Sequence, residues 1–231
     1  DISADGTKLY ITGTSGDGVD IYTMTTPFDI TTASWSSFWN SVVYGPRLIN
    51  PQHIQFKYDG TKVFFASSNL LKEYGLSTPW DLTSASLVDV NGIDVTSESG
   101  NYNDLKFSYD GSKMYVIGAG VIAQYNLSDP WDVYSAAHYH TFTSSSVTDI
   151  SFSPTGDQLL EMTGGNTVHY RSLTTPWDIS TLQAQQNPKT VSSGGVSLQV
   201  ATSGNAFYIM TGNTMQKYSM STAWDPSSAG N

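Results

Sequence analysis

Three groupings in this chain combine residue types suited to chemistry. Glu161 and Arg171 place an acid and a guanidinium in a segment whose neighbours are largely apolar. His138 and His140 form His-x-His, which on a regular strand puts both imidazoles on one side, as two metal ligands would be. No third ligand lies near them in sequence, so the competing reading is a pair of surface imidazoles, and no metal site is expected. Asp104 and Asp149 fall at equivalent places in two segments, where copies elsewhere carry His53 and Ser197. They would either hold a cation through oxygen ligands or line a polar, water-filled channel. Templates for catalysis are missing: there is no G-x-S-x-G elbow, H-E-x-x-H, P-loop or EF-hand loop. With Cys at 0, thiolate chemistry is also excluded. The chain is therefore expected not to be an enzyme, with no catalytic residue and no cofactor. The alternative is carbohydrate chemistry by carboxylates converging in a channel.

These residues sit in a repeat. A turn dipeptide recurs at Asp5-Gly6, Asp59-Gly60, Asp110-Gly111, Thr155-Gly156 and Ser203-Gly204, and an aromatic-Asp pair at Phe28-Asp29, Trp80-Asp81, Trp131-Asp132, Trp177-Asp178 and Trp224-Asp225. Both markers return about every 45–54 residues and keep step with each other. The copies run over approximately 1–48, 49–99, 100–145, 146–193 and 194–231, read as one domain over 1–231. Before each turn dipeptide, apolar residues alternate, as in Leu105 and Phe107. After it comes a run apolar on both sides, such as Met114-Tyr115-Val116, and such a strand must be covered on both faces. About four short antiparallel strands per copy predict an all-β fold, a five-bladed β-propeller with one blade incomplete. Asp1-Ile2 supplies only the tail of a first strand, and Asn231 precedes any fourth strand of copy five. One blade is therefore short by a strand, or a segment outside the chain completes it. Five blades closing on themselves is the first expectation, and an open arc of a larger ring, completed by another chain, is the second. A start at Asp rather than Met suits a processed or excerpted chain.

Against this frame, the five aromatic-Asp pairs have two readings. They are either five sugar-stacking platforms or core wedges between blades, with each Asp capping a polar turn. In copy four, Glu161 stands where others carry Ile11, Phe65, Val116 and Ile209, and Arg171 where they carry Tyr22, Tyr74, Tyr125 and Tyr218. Both positions are equidistant from a hairpin turn, which predicts a directly opposed cross-strand ion pair. Trp35, Phe38 and Trp39 form an aromatic cluster without counterpart in the other copies, either a recognition patch or a plug over the missing strand.

The net charge of -10 with only 10 Lys+Arg leaves no basic stripe for phosphates, so nucleic acid is not an expected partner. No apolar run approaches the ~18 residues of a membrane-spanning helix, so membrane insertion is not expected. The 13% charged fraction is about half the usual value.

The units Phe107-Ser108-Tyr109-Asp110-Gly111-Ser112-Lys113-Met114-Tyr115-Val116 and Leu173-Thr174-Thr175-Pro176-Trp177-Asp178-Ile179-Ser180 resemble a repeat of propeller proteins from bacteriophages and marine bacteria. The resemblance covers nearly the whole chain and implies a virion or extracellular protein without assigned activity. Trp-Asp also resembles the closing pair of WD repeats, but no Gly-His pair precedes it. The function expected is a non-enzymatic binding or structural module, adhering to a surface glycan or assembling with other subunits. A multivalent lectin of non-phage origin is the further alternative.

Overall fold

A computed structural model describes residues 1–12, 17–41, 51–67, 70–89, 91–95, 102–118, 120–144, 146–164, 166–192, 194–201, 203–212 and 214–230. The protein is an all-β, five-bladed β-propeller of small antiparallel sheets. Blade 1 consists of β1 (Lys8–Thr12), β2 (Gly18–Met24) and β3 (Ala33–Asn40), and Ile2 bridges Leu9 where the other blades have a full first strand. Blade 2 consists of β4 (Pro51–Phe56), β5 (Lys62–Ser67), β6 (Leu70–Leu76), β7 (Ala85–Leu87) and β8 (Ile93–Asp94), the last two both pairing with β6. Blade 3 is β9 (Tyr102–Phe107), β10 (Lys113–Gly118), β11 (Val121–Leu127) and β12 (Ala136–Thr143). Blade 4 is β13 (Val147–Phe152), β14 (Gln158–Thr163), β15 (Thr167–Ser172) and β16 (Gln186–Thr190). Blade 5 is β17 (Gly195–Val200), β18 (Ala206–Thr211), β19 (Thr214–Met220) and β20 (Ala229–Gly230), so its fourth strand is present as two residues.

By contact density the chain divides into two compact units. One is Asp1–Ser97 with Asp132–Tyr134, the other Glu98–Trp131 with Ser135–Asn231. Within the first, Tyr10 and Val19 of blade 1 pack with Ile54, Phe56, Val63, Phe65 and Tyr74 of blade 2. Within the second, Tyr115, Ile117 and Ile122 of blade 3 pack on Ile150 and Leu159 of blade 4. Leu160, Met162 and Val168 of blade 4 pack in turn on Leu198, Phe207, Ile209 and Tyr218 of blade 5. The doubly apolar second strands are thus sandwiched between sheets, as their sequence requires.

The two repeat markers are one structural device. Gly6, Gly60, Gly111, Gly156 and Gly204 all have φ of +70 to +74°, and each lies under the aromatic ring of its own blade's aromatic-Asp pair. A β-carbon on any of them would stand inside that ring's van der Waals envelope. The aromatic residue's N–H donates to the glycine carbonyl at 2.8–3.0 Å in all five blades. Phe28 and the four tryptophans themselves adopt φ of 61–63°, a conformation that costs a bulky residue energy and is held by this contact. In blades 2, 3 and 4 the indole also lies on the phenylalanine ending the first strand, Trp80 on Phe56 at 4.8 Å, Trp131 on Phe107 at 5.0 Å and Trp177 on Phe152 at 5.1 Å. The ring is therefore first a clasp within its own blade, and only then a wedge toward the next. The following Asp caps a one-turn 3-10 helix, for instance Asp81 accepting from the Thr83 N–H at 2.9 Å and Asp178 from Ser180 at 3.0 Å.

Gly111→Ala should cost about 2–4 kcal/mol, from the left-handed backbone and the clash with the indole. Trp131→Ala should cost about 3–5 kcal/mol. In urea unfolding the double variant should lose less than the two costs added, because the clash disappears with the ring; strict additivity would refute the contact.

Candidate functional site

The polar residues singled out by sequence in blades 3 and 4 are mostly tied up in the fold. Glu161 is fully buried and Arg171 nearly so, and they form an ion pair through Arg171 Nε. Their strands do not set them opposite each other: Glu161 faces His169 and Arg171 faces Leu159, so the pair is diagonal. The hairpin turn is shorter than an even spacing implies, and the long guanidinium stem spans the offset. The Ser144 hydroxyl donates to Glu161, Arg171 Nη1 donates to the Gln183 carbonyl at 2.8 Å, and the guanidinium lies 4.9 Å over the Phe142 ring. With its partners supplied by the chain, this pair offers nothing to a ligand. Removing either member alone would leave an uncompensated buried charge.

Asp104 and Asp149 do converge on a cation, and the cation is the chain's own Lys106. Its Nζ lies 2.8 Å from Asp104 Oδ2 and 3.4 Å from Asp149 Oδ1. Asp149 also accepts the N–H of Ile150 and that of Leu198 in blade 5, each at 2.6 Å. Burial pushes the Asp149 carboxyl well above the usual carboxylate range, and the neighbouring Asp104 adds to this. Lys106 is raised as well: burial opposes its charge, but the attraction of Asp104 and Asp149 outweighs it.

The His-x-His geometry is broken by a β-bulge. His140 is the cross-strand partner of Gln124 and His138 that of Tyr125, which puts the two imidazoles on opposite faces of the sheet. His138 instead meets the Tyr125 ring edge-on at 5.5 Å. Among the described residues no group of three or more His, Asp or Glu is placed to hold a metal.

The aromatic-Asp pairs do not form repeated platforms. Trp131 and Trp224 are buried, and every one of the five aspartates is engaged as a turn cap. A shallow depression of about 490 Å³ over blade 2 includes Lys62, Ser77, Ser84 and Val88, and there Lys62 is held by the buried Glu73 at 2.6 Å.

The open surface lies on blade 1. In β1 and β2, Leu9 pairs with Tyr22 and Ile11 with Asp20, so these four share one face. The outer strand β3 carries a bulge between its pairings with Ile21 and Tyr22, which sets Trp35 beside Tyr22 and Phe38 beside Asp20, on that same face. Trp35 is 60% exposed, Phe38 46% and Ile11 38%. The Trp35 Nε1–H donates to Asp20 Oδ1 at 3.0 Å, which tethers the indole to β2. Trp39 is not part of this surface: it pairs with Val19 on the opposite face, is 1% exposed, and stacks on Phe65 at 5.6 Å. The cluster is thus neither a free patch of three aromatics nor a plug. It is one strand sending aromatics to both faces. Sequence alternation alone would have grouped Trp35 with Trp39, and the bulge is what separates them.

The equivalent positions in the other blades are buried: Val63, Phe65 and Tyr74, then Met114, Val116 and Tyr125, then Phe207, Ile209 and Tyr218. Phe28 follows the same rule, 63% exposed where Trp131 and Trp224 are buried. The β1 and β2 positions of this face are thus more open in blade 1 than in the other blades, and on its outer strand Trp35 stands where blade 3 has the exposed His138.

No protein-family model and no curated protein sequence matches the chain. Solved structures do match in fold. A candidate 6-phosphogluconolactonase of Bacteroides fragilis aligns with 96% of this chain and 65% of its own length, at 15% identity and a TM-score of 0.59. The periplasmic gluconolactonase PpgL of Pseudomonas aeruginosa aligns with 100% of this chain and 67% of its own length, at 14% identity and a TM-score of 0.58. The Swd1 β-propeller domain of Myceliophteria thermophila aligns at 11% identity and a TM-score of 0.55, covering 95% of this chain and 64% of that one. The chain spans about two thirds of the length of these structures, and the likeness is one of fold. It corrects the expectation of a non-enzymatic protein: proteins bearing lactonase names share this fold, and missing sequence templates are no argument against catalysis on it.

The raised Asp149 carboxyl makes a signed prediction. Its stability contribution is complete below the unfolded carboxylate value, about 4, and is lost as pH rises through the higher folded value. Asp5, held down to about 2 chiefly by the Ser3 hydroxyl and then by Thr7, acts the opposite way at acid pH. Subtracting the urea-unfolding free energy of Asp149→Asn from that of the wild type isolates the first effect. This difference should fall as pH rises above about 4; a flat difference would refute the assignment.

Proposed function

We propose that this protein is a binding module that joins other subunits through the open face of blade 1, in a virion or extracellular setting. The observation that carries the reading is the shared exposure of Ile11, Trp35 and Phe38 on one face, Ile11 at a position that is buried in the other blades. An apolar patch that the repeat itself designs for burial calls for a macromolecular partner. A glycan suits this face less well. Its indole N–H and its carboxylate are already bonded to each other, which leaves few polar groups to orient sugar hydroxyls. The setting is supported by the repeat's resemblance to phage and marine bacterial propeller proteins.

If the face is free for a partner, charge should be tolerated there. Ile11→Arg and Phe38→Arg should melt within about 1 kcal/mol of the wild type, as surface changes do. Ile209→Arg, at the position equivalent to Ile11 in blade 5, should cost about 3–5 kcal/mol. Unfolding of the blade 1 variants would defeat the proposal.

A second reading is supported by the lactonase names among the fold neighbours and by the raised carboxyl of Asp149. A carboxyl that holds its proton more tightly than usual can serve as general acid to the ring oxygen of a sugar lactone. Wild-type protein should then hydrolyse glucono-δ-lactone faster than buffer alone, and Asp149→Asn should lose about 100-fold or more of that rate while staying folded. A wild-type rate equal to the spontaneous one would end this reading.

A further inference from the structure

We infer that Asn91 is a site of spontaneous deamidation and isoaspartate formation, and that the reaction releases β8 from the edge of blade 2. Asn91-Gly92 is the one Asn-Gly dipeptide in the chain. The reaction needs a side-chain amide free to turn back on the next backbone nitrogen, and a successor with no β-carbon to obstruct it. Asn91 lies between β7 and β8, outside either strand, with its side chain exposed. Its N–H donates to Asp89 Oδ1 at 2.7 Å, but among the described residues no hydrogen bond engages its carboxamide. None takes up the Gly92 N–H either. Gly92 has φ of +67°, and a β-carbon there would stand 2.7 Å from the Leu71 carbonyl oxygen, so the position is reserved for glycine.

Elsewhere the same chemistry is held back. In Asp5-Gly6, Asp59-Gly60 and Asp110-Gly111 the glycine nitrogen that would attack donates its proton to the carbonyl of Ser3, Lys57 or Ser108 at 2.8–2.9 Å. Their carboxylates accept from the N–H groups of Thr7, Thr61 and Ser112. Asn187 precedes Pro188, which has no N–H to lose. Asn126 and Asn205 precede Leu127 and Ala206, which carry a β-carbon and belong to strands. At Asn91 the Gly92 nitrogen bonds to the side-chain Cγ, the Cγ–Nδ2 bond breaks, and Nδ2 leaves as ammonia with the proton that Gly92 gives up. Water then opens the five-membered imide at either carbonyl. Opening at Cγ leaves an ordinary aspartyl residue at position 91. Opening at the main-chain carbonyl routes the backbone through Cβ and Cγ, one carbon longer. β8 pairs with β6 through Ile93 and Asp94, and Gly92 lies against the stem of Lys72 just before it. A longer backbone there, with a new carboxylate between Asp89 and Asp94, displaces so short a strand.

Peptide mass mapping of the folded chain, aged at body temperature and mildly alkaline pH, tests this. The peptide holding Asn91 should gain the mass of an amide-to-acid conversion and split into an aspartyl and an isoaspartyl form. Asn91→Gln, which can close only a six-membered imide, should stay at its starting mass over the same period. In the aged wild type the backbone N–H groups of Ile93 and Asp94 should exchange with deuterium roughly tenfold faster than in fresh protein. Folded wild type that keeps its Asn91 amide, or isoaspartate forming equally at Asp59 and Asp110, would overturn the assignment of the site. Conversion at Asn91 with exchange unchanged at Ile93 and Asp94 would overturn the release of β8.

Discussion

The contact between a hairpin glycine and the aromatic ring lying on it sets the geometry of every blade. The glycine leaves out a side chain so that the ring can approach, and its carbonyl accepts the ring residue's N–H. The ring residue in turn takes up a left-handed backbone that it would not hold alone. One device thereby ties the hairpin between the first two strands to the turn that follows the third. The Asp after the ring then caps a 3-10 turn, whose backbone groups face outward. Those groups are what the neighbouring blade grips, as Tyr10 grips Trp80 and Gln124 grips Ile179. A local clasp thus becomes the register between sheets.

Three buried carboxylates are neutralised by the chain itself. Glu161 has Arg171 and Ser144, Glu73 has Lys62 and the Val133 N–H, and Asp149 has Lys106 and two backbone donors. Groups bonded in this way contribute registration rather than large net stability, because desolvation offsets most of the Coulomb gain. Burial raises the Asp149 carboxyl above the usual range, and the neighbouring Asp104, which shares the same ammonium, adds to the shift.

Repetition also determines what the terminal blades present. Every blade is built with an apolar patch on each face, because the same strands must be covered from both sides. In blade 1, Ile11, Trp35 and Phe38 are exposed. A surface of that kind is a consequence of the repeat, and any function placed on it inherits its shape and its apolar character.

The blade count, the strand order and the turn caps were legible in the sequence, because glycine, aromatic and Asp each answer a local backbone demand and recur in step. The Glu161–Arg171 partnership was legible for the same reason, as two departures from one repeat. Three matters depended on tertiary structure. Bulges in β3 and β12 reversed the side on which later residues emerge, sending Trp39 into the core, leaving Trp35 and Phe38 outside, and parting His138 from His140. A bulge is set by strand pairing, and no single residue announces it. The cation between Asp104 and Asp149 proved to be Lys106, a contact between blades that repeat spacing does not encode. Which copies of an apolar face stay open was likewise decided by packing, since the residues on covered and uncovered faces are of the same kind.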